Sequence, residues 1–149
     1  MSSTQAYTDQ SVYLSILTAT PAQEVKTFVE ALLARVTAVE VLTSRTGLAM
    51  LPFTDSVKGI AFHLGETLLA EAHVRVGAQE GYAACLGRDL AQAIALAILD
   101  ALLQSHEPAA LVEQPAILNF VAAAHHQQQE HERVLLRKIE ATRVELETF

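Results

Sequence analysis

Three short groups of residues in this chain have the types and spacing that chemistry uses. Glu71, His73 and Arg75 alternate along one segment. An extended backbone sets such a carboxylate, imidazole and guanidinium on one face, where they could move a proton or hold an oxyanion. The plain alternative is a solvated sheet face, or ion pairs with a neighbouring subunit. Gly87-Arg88-Asp89 stands just before an apolar, helix-forming run. A helix mouth offers free amides and partial positive charge, and Arg88 adds a forked donor. Asp89 as cap would use one of those amides and repel a second anion, so the simpler reading is a tight strand-to-helix turn. His125-His126-Gln127-Gln128-Gln129-Glu130-His131 invites a metal. A helical ligand pair needs a spacing of three or four. His126 and Glu130 meet that spacing, whereas His126 and His131 diverge. Neither HExxH nor HxxEH is present, and a solvated helix segment accounts for the run. No G-x-S-x-G, phosphate-cradling glycine loop or second cysteine occurs. No catalytic residue, metal or other cofactor is therefore assigned.

The elements that would carry these groups can be read from period and punctuation. Asp9 to Ala19 is expected to be helical, with Val12, Ile16 and Leu17 on one face. Thr20-Pro21-Ala22-Gln23 reads as a capping box that opens a second helix with Val25, Phe28, Val29, Leu32, Leu33 and Val36 on its apolar face. The period then changes. Val39 to Thr43 and Thr46 to Leu51 favour strands, Gly59 to Leu64 a third, and Gly65-Glu66 a turn or bulge. From Ala70 to Val76 the alternation is clean, with Ala70, Ala72, Val74 and Val76 opposite Glu71, His73 and Arg75. Gly77 to Gly81 reads as a hairpin connection, with Tyr82 to Leu86 pairing back. Asp89 caps a helix to about Ser105 that is apolar nearly all round, which a sheet alone cannot cover. Glu107-Pro108 and Gln114-Pro115 are expected to break the chain before a last helix from Pro115 to Phe149. The polar middle of that helix, His125 to Arg133, suggests an arm. The expected fold is α+β. An antiparallel meander of about four or five strands packs with N-terminal helices, a buried apolar helix and a long C-terminal helix, all in one domain over 1–149.

Composition narrows the partners. The chain has 149 residues, 51% of them hydrophobic, which excludes wholesale disorder. A net charge of −7 disfavours nucleic acid or an anionic membrane as main partner, because both need clustered Lys and Arg. Cys85 stands alone among apolar neighbours, Met1 to Gln10 lacks an apolar run, and no apolar stretch is long enough to span a bilayer. The cytoplasm is the expected location.

Several segments in order resemble the PhnG family, the G component of the carbon–phosphorus lyase system that degrades phosphonates. They are Thr46-Gly47-Leu48, Phe62-His63-Leu64-Gly65-Glu66 leading to Val74-Arg75-Val76, Gly81-Tyr82 and Gly87-Arg88-Asp89. Ala97 to Gln104 and the closing Ala141-Thr142-Arg143-Val144-Glu145-Leu146-Glu147-Thr148 complete the set. The likeness runs from about Tyr13 to Phe149. It departs at Leu146-Glu147, where the family tends to have two phenylalanines. The resemblance implies an accessory member of a core complex with subunits H, I and J, together with the ABC-type L component. It implies the step in which a phosphonate displaces adenine from ATP to give a ribose 1-phosphonate 5-triphosphate.

On this reading the over-apolar helix and the arm offer surface to partners. Leu96, Leu99 and Leu103 are candidate interface residues, with Arg143, Val144 and Leu146 from the C-terminal end. Glu71, Arg75, Gly87, Arg88 and Asp89 are candidate anion or subunit contacts. A homodimer of the isolated chain is compatible, because a surface deprived of its partner can pair with itself. The competing readings are a standalone metal- or phosphate-dependent hydrolase using His73, Arg75, Arg88 or the His125–His131 run, and a homodimeric small-molecule-binding module.

Overall fold

The computed structural model describes residues 7–36 and 38–142. Its elements in chain order are α1 (Gln10–Ala19), α2 (Ala22–Leu33), β1 (Val39–Thr54), β2 (Ala61–Val76), β3 (Gln79–Leu86), α3 (Leu90–Gln104) and α4 (Pro108–Ala141). The strands form one antiparallel meander in the order β1-β2-β3. The fold is α+β, with three strands rather than four or five.

Strand count falls because segments expected to be separate strands are continuous. β1 and β2 are each 16 residues long and pair along their whole length. Gly47 and Gly65 have no positive φ, so neither turns the chain. The irregularities are bulges. The register steps over Leu42 in β1 and over Leu64, beside Gly65, in β2. The reversal lies instead at Asp55 to Gly59. The Asp55 carboxylate accepts from the amides of Val57 and Lys58, and Gly59 takes the left-handed φ of 67°. β3 starts at Gln79, so the second hairpin turns on Gly77-Ala78 alone, with Gly77 at φ 60°.

The helix α3 is the centre of the molecule. It touches every other element: the sheet on one side, and α1, α2 and α4 around the rest. Residues 95–102 are all buried. Leu96 and Leu99 have no exposed surface at all, and Leu103 is half-buried. The expectation that this helix must find cover outside the chain is thereby corrected. Its other sides are covered by helices of the same chain, and Leu96 and Leu99 are core residues.

Small side chains set how close the sheet comes. Ala70, Ala72 and Ala83 face α3, and a Cβ on Gly81 would lie 2.2 Å from the Ala97 carbonyl oxygen and 2.4 Å from the Ala101 nitrogen. At that contact the buried Asp100 collects three donors. Its Oδ1 accepts from the Tyr13 hydroxyl at 2.6 Å and the Gln10 amide at 2.9 Å, and its Oδ2 accepts from the Tyr82 backbone N–H at 2.9 Å. Burial, followed by the bond to Asp100, pushes the Tyr13 phenol well above its usual range. On α1, Tyr13 joins Ile16 and Leu17 in the core, while Val12 is exposed.

Two expected boundaries are also corrected. Thr20 does not open α2: its hydroxyl donates back to the Ile16 carbonyl and closes α1, while Pro21 takes the N-cap position of α2, which has no side-chain cap. Pro ahead of the helix holds Thr20 extended, with ψ at 143°. Pro115 does not break the last helix, which starts at Pro108 and runs 34 residues. Pro115 sits on the solvent side, so the carbonyl it leaves unpaired can face water. The neighbouring Gln114 amide reaches across to the carbonyls of Leu102, Leu103 and Ser105, satisfying the C-terminal end of α3.

Gly81→Ala is expected to destabilise the protein by roughly 3 kcal/mol, because backbone rather than a movable side chain meets the new methyl. Asp100→Asn leaves one donor facing an amide NH2 and should cost about 2 kcal/mol. Urea unfolding followed by circular dichroism measures both.

Candidate functional site

The polar row found in the sequence lies on the sheet face turned away from α3. It is a ladder of ion pairs across all three strands. Arg75 forks between Glu40 of β1 at 3.0 Å and Glu80 of β3 at 2.7 Å. His73 Nε2 lies 2.9 Å from the same Glu80 carboxylate. Glu71 pairs with Arg45 of β1 and accepts from the Tyr82 hydroxyl at 2.6 Å. Glu71 is held below the usual glutamate range by the Tyr82 hydroxyl first and Arg45 second, and Glu80 by Arg75 first. The same contacts raise Arg75, through Glu80, and Tyr82, through Glu71. Arg75 and Glu71 therefore sit on one face, as alternation required, with their charges answered within the chain.

Gly87, Arg88 and Asp89 form the turn from β3 into α3. Gly87 takes φ 97°, and its amide donates to the Leu68 carbonyl at 2.9 Å, extending the β2–β3 pairing. Asp89 caps α3 through the Gln92 amide at 3.0 Å and meets Lys26 of α2 at 2.7 Å. Lys26, followed by the Gln92 amide, keeps this carboxyl below its ordinary range. Arg88 points outward and makes no ion pair with any described residue. The helix mouth is thus filled by Asp89, and Arg88 is a separate, open guanidinium beside it.

The histidine run lies on α4. His125 is engaged by Tyr7 at 3.1 Å through Nδ1 and by Gln129 at 3.2 Å through Nε2. His126 is exposed, and His131 lines a shallow hollow of about 330 Å³ with Thr20, Pro21, Gln127, Gln128 and Glu132. Among the described residues no three His, Cys, Asp or Glu side chains gather where they could hold a metal ion. Cys85 is buried, and burial followed by Asp89 raises its thiol.

Two arms project from the body: the hairpin one was not foreseen, whereas the helical one was expected from the polar middle of α4. In the first, the distal part of the β1–β2 hairpin, residues 46–66, leaves the body. Its apolar side chains face water on both sides: Leu48 is 66% exposed and Leu64 64%, with Met50, Phe53, Ile60 and Phe62 also open. Phe53 and Phe62 pair edge to face at 5.6 Å. The second arm is α4 beyond Gln128, about 20 Å of helix with no buried side chain. It exposes Val134, Leu135, Leu136 and Ile139. The run of apolar residues in an alternating strand was the available signal for the first arm, and the absence of any helix to cover it could not be read locally. Arg143, Val144 and Leu146 lie outside the described residues.

A three-stranded meander packed on one side of a central helix, with helices on its other sides and apolar arms reaching past it, defines an α+β protein. The chain belongs to the PhnG family: the family model, described as phosphonate metabolism protein PhnG, matches residues 9–149. Its role is accordingly in phosphonate metabolism. No curated protein matches the chain. No helix among the described residues is long and apolar enough to cross a membrane.

The ladder sets an expected acid response. Glu71, Glu80 and Glu113 all sit below the ordinary glutamate value of 4.5, Glu113 through its two-point pairing with Arg35. Carboxyls depressed in the folded state stabilise it fully above 4.5, and that contribution fades as pH falls through their folded values. Melting temperature should therefore decline below about pH 4.5, and Glu80→Gln should show a smaller decline than wild type. An unchanged slope in Glu80→Gln would count against the ladder.

Proposed function

We propose that this chain is an accessory member of the carbon–phosphorus lyase core complex. In this reading it acts with subunits H, I and L in the step where a phosphonate displaces adenine from ATP, and it associates with J in the assembly. It contributes surface rather than reacting groups. The hairpin arm carries this reading. An isolated two-stranded hairpin is only marginally stable in water, and an apolar one is a liability unless something covers it. Membership of the PhnG family supplies the context for such a partner. The outer part of α4 supports the same role with Leu135 and Ile139, one helical turn apart on the exposed arm. Arg88, open beside the α3 mouth, is the preferred contact for a partner carboxylate or a phosphate group. Leu103 and the segment holding Arg143, Val144 and Leu146 extend the proposed interface, whereas Leu96 and Leu99 serve the core.

The test is co-expression with a candidate I component, affinity capture and size exclusion, followed by adenine release from ATP plus phosphonate. A stable complex whose turnover needs this chain is the expected result. Phe53→Ser with Phe62→Ser should weaken capture roughly thirtyfold, about 2 kcal/mol, while the far-ultraviolet spectrum stays native. Arg88→Ala should lower either capture or turnover. A chain that ignores the I component and leaves turnover unaltered overturns the reading.

A further inference from the structure

The outer edge of β1 is an unguarded pairing edge. β1 is the first strand of the sheet, so one side of its backbone has no strand against it. Sheet proteins blunt such edges with lysine, proline, bulges or short length. Here the bulge at Leu42 and Pro52 both lie outside Thr43–Leu51, and that stretch contains neither lysine nor proline. It is also exposed or only half-buried throughout. Its single charge, Arg45, is drawn across the sheet to Glu71 of β2, away from the free edge. What remains is a row of backbone donors and acceptors, open to water in the free chain, with the spacing that another extended strand pairs with.

We propose that this edge pairs with the same edge of a second copy of the chain, antiparallel and centred on Gly47. The sequence of the edge selects that occupant and that register. Centred on Gly47, Thr46 meets Leu48 of the second copy, Arg45 meets Ala49, Ser44 meets Met50 and Thr43 meets Leu51. No charge opposes a charge, and the whole uninterrupted stretch is used. A parallel in-register pairing, or one centred on Arg45, would stack Arg45 on its own copy. Gly47 has open space where a Cβ would sit, so a side chain placed there meets nothing within its own chain. The pairing gives one continuous sheet with three strands from each copy, closed by twofold symmetry.

The dimer is a property of the purified chain alone and stands apart from the core-complex reading, so failure to capture the I component leaves it untouched. Sedimentation of the purified chain over a wide concentration range should show a monomer–dimer equilibrium. Leu48→Lys, at a position 66% exposed, should weaken the dimer at least tenfold while keeping the wild-type far-ultraviolet spectrum. A register test protects against a variant that fails to fold. Gly47→Cys should cross-link to itself under mild oxidation, because directly opposed Cα atoms lie about 4.5–5.5 Å apart, within disulfide reach. Ala49→Cys places its two thiols roughly 14 Å apart along the strands and should cross-link at least tenfold more slowly. The buried Cys85 does not compete. A wild-type chain that stays monomeric throughout, or equal cross-linking of the two cysteine variants, overturns the proposal.

Discussion

Asp100 is the group on which the rest of the structure depends. A carboxyl side chain buried on an otherwise apolar helix is costly unless its oxygens are fully used. Here three donors arrive from three different places: Gln10 at the start of α1, Tyr13 one turn later, and the Tyr82 backbone N–H in β3. The last bond forms only because Gly81, the residue before Tyr82, lets the strand lie on the backbone of α3. Satisfying one side chain therefore fixes the position of α1 and the depth of the sheet together. Apolar burial drives the collapse, but it is non-directional and would tolerate a sheet shifted along the helix. The Asp100 bonds are directional and would not.

The body closes tightly around the middle of α3. Residues 95–102 of the helix are buried between the sheet and the other helices, and the cations and carboxyls on the far sheet face answer one another across the strands. Even the mouth of α3, the most favourable place for an anion, is taken by Asp89 with Lys26 behind it. Groups already paired at hydrogen-bond distance must break those pairs before they can serve a ligand. The two arms and Arg88 present apolar and cationic surface to water.

How far the sequence revealed this depends on whether a feature is local. The Asp89 cap and the extent of α3 were legible, because a cap and its helix lie within a few residues. So was the alternation from Ala70 to Val76, whose apolar members are buried and whose polar members form the ladder. Asp100 read as part of a polar stripe, since nothing near it in sequence announces donors 87 and 90 positions away. Thr20 carried the residue type of an N-cap, but its hydroxyl found a carbonyl one turn back, a competition that local pattern cannot decide. Pro115 looked like a breaker, yet an exposed proline near the start of a long helix forfeits only a bond that water can replace. The hairpin arm stayed hidden for a different reason. Residue type shows that 46–51 and much of 59–64 favour strand, but not that the helices end before reaching them.

The contrast between body and arms has a thermodynamic consequence. The three-stranded part of the sheet is supported by α3 and by cross-strand pairs, whereas the distal hairpin has only its own ladder and the Phe53–Phe62 contact. Opening that hairpin exposes little apolar surface that is not already wet, so it costs far less than unfolding the body. A partner that covers Leu48, Phe53 and Phe62 binds the ordered form and not the frayed one, and so stabilises the arm by mass action. On the proposed reading, the order of the hairpin and its occupancy by a partner form one linked equilibrium. The body, locked by Asp100, supplies the fixed frame from which both arms are held out.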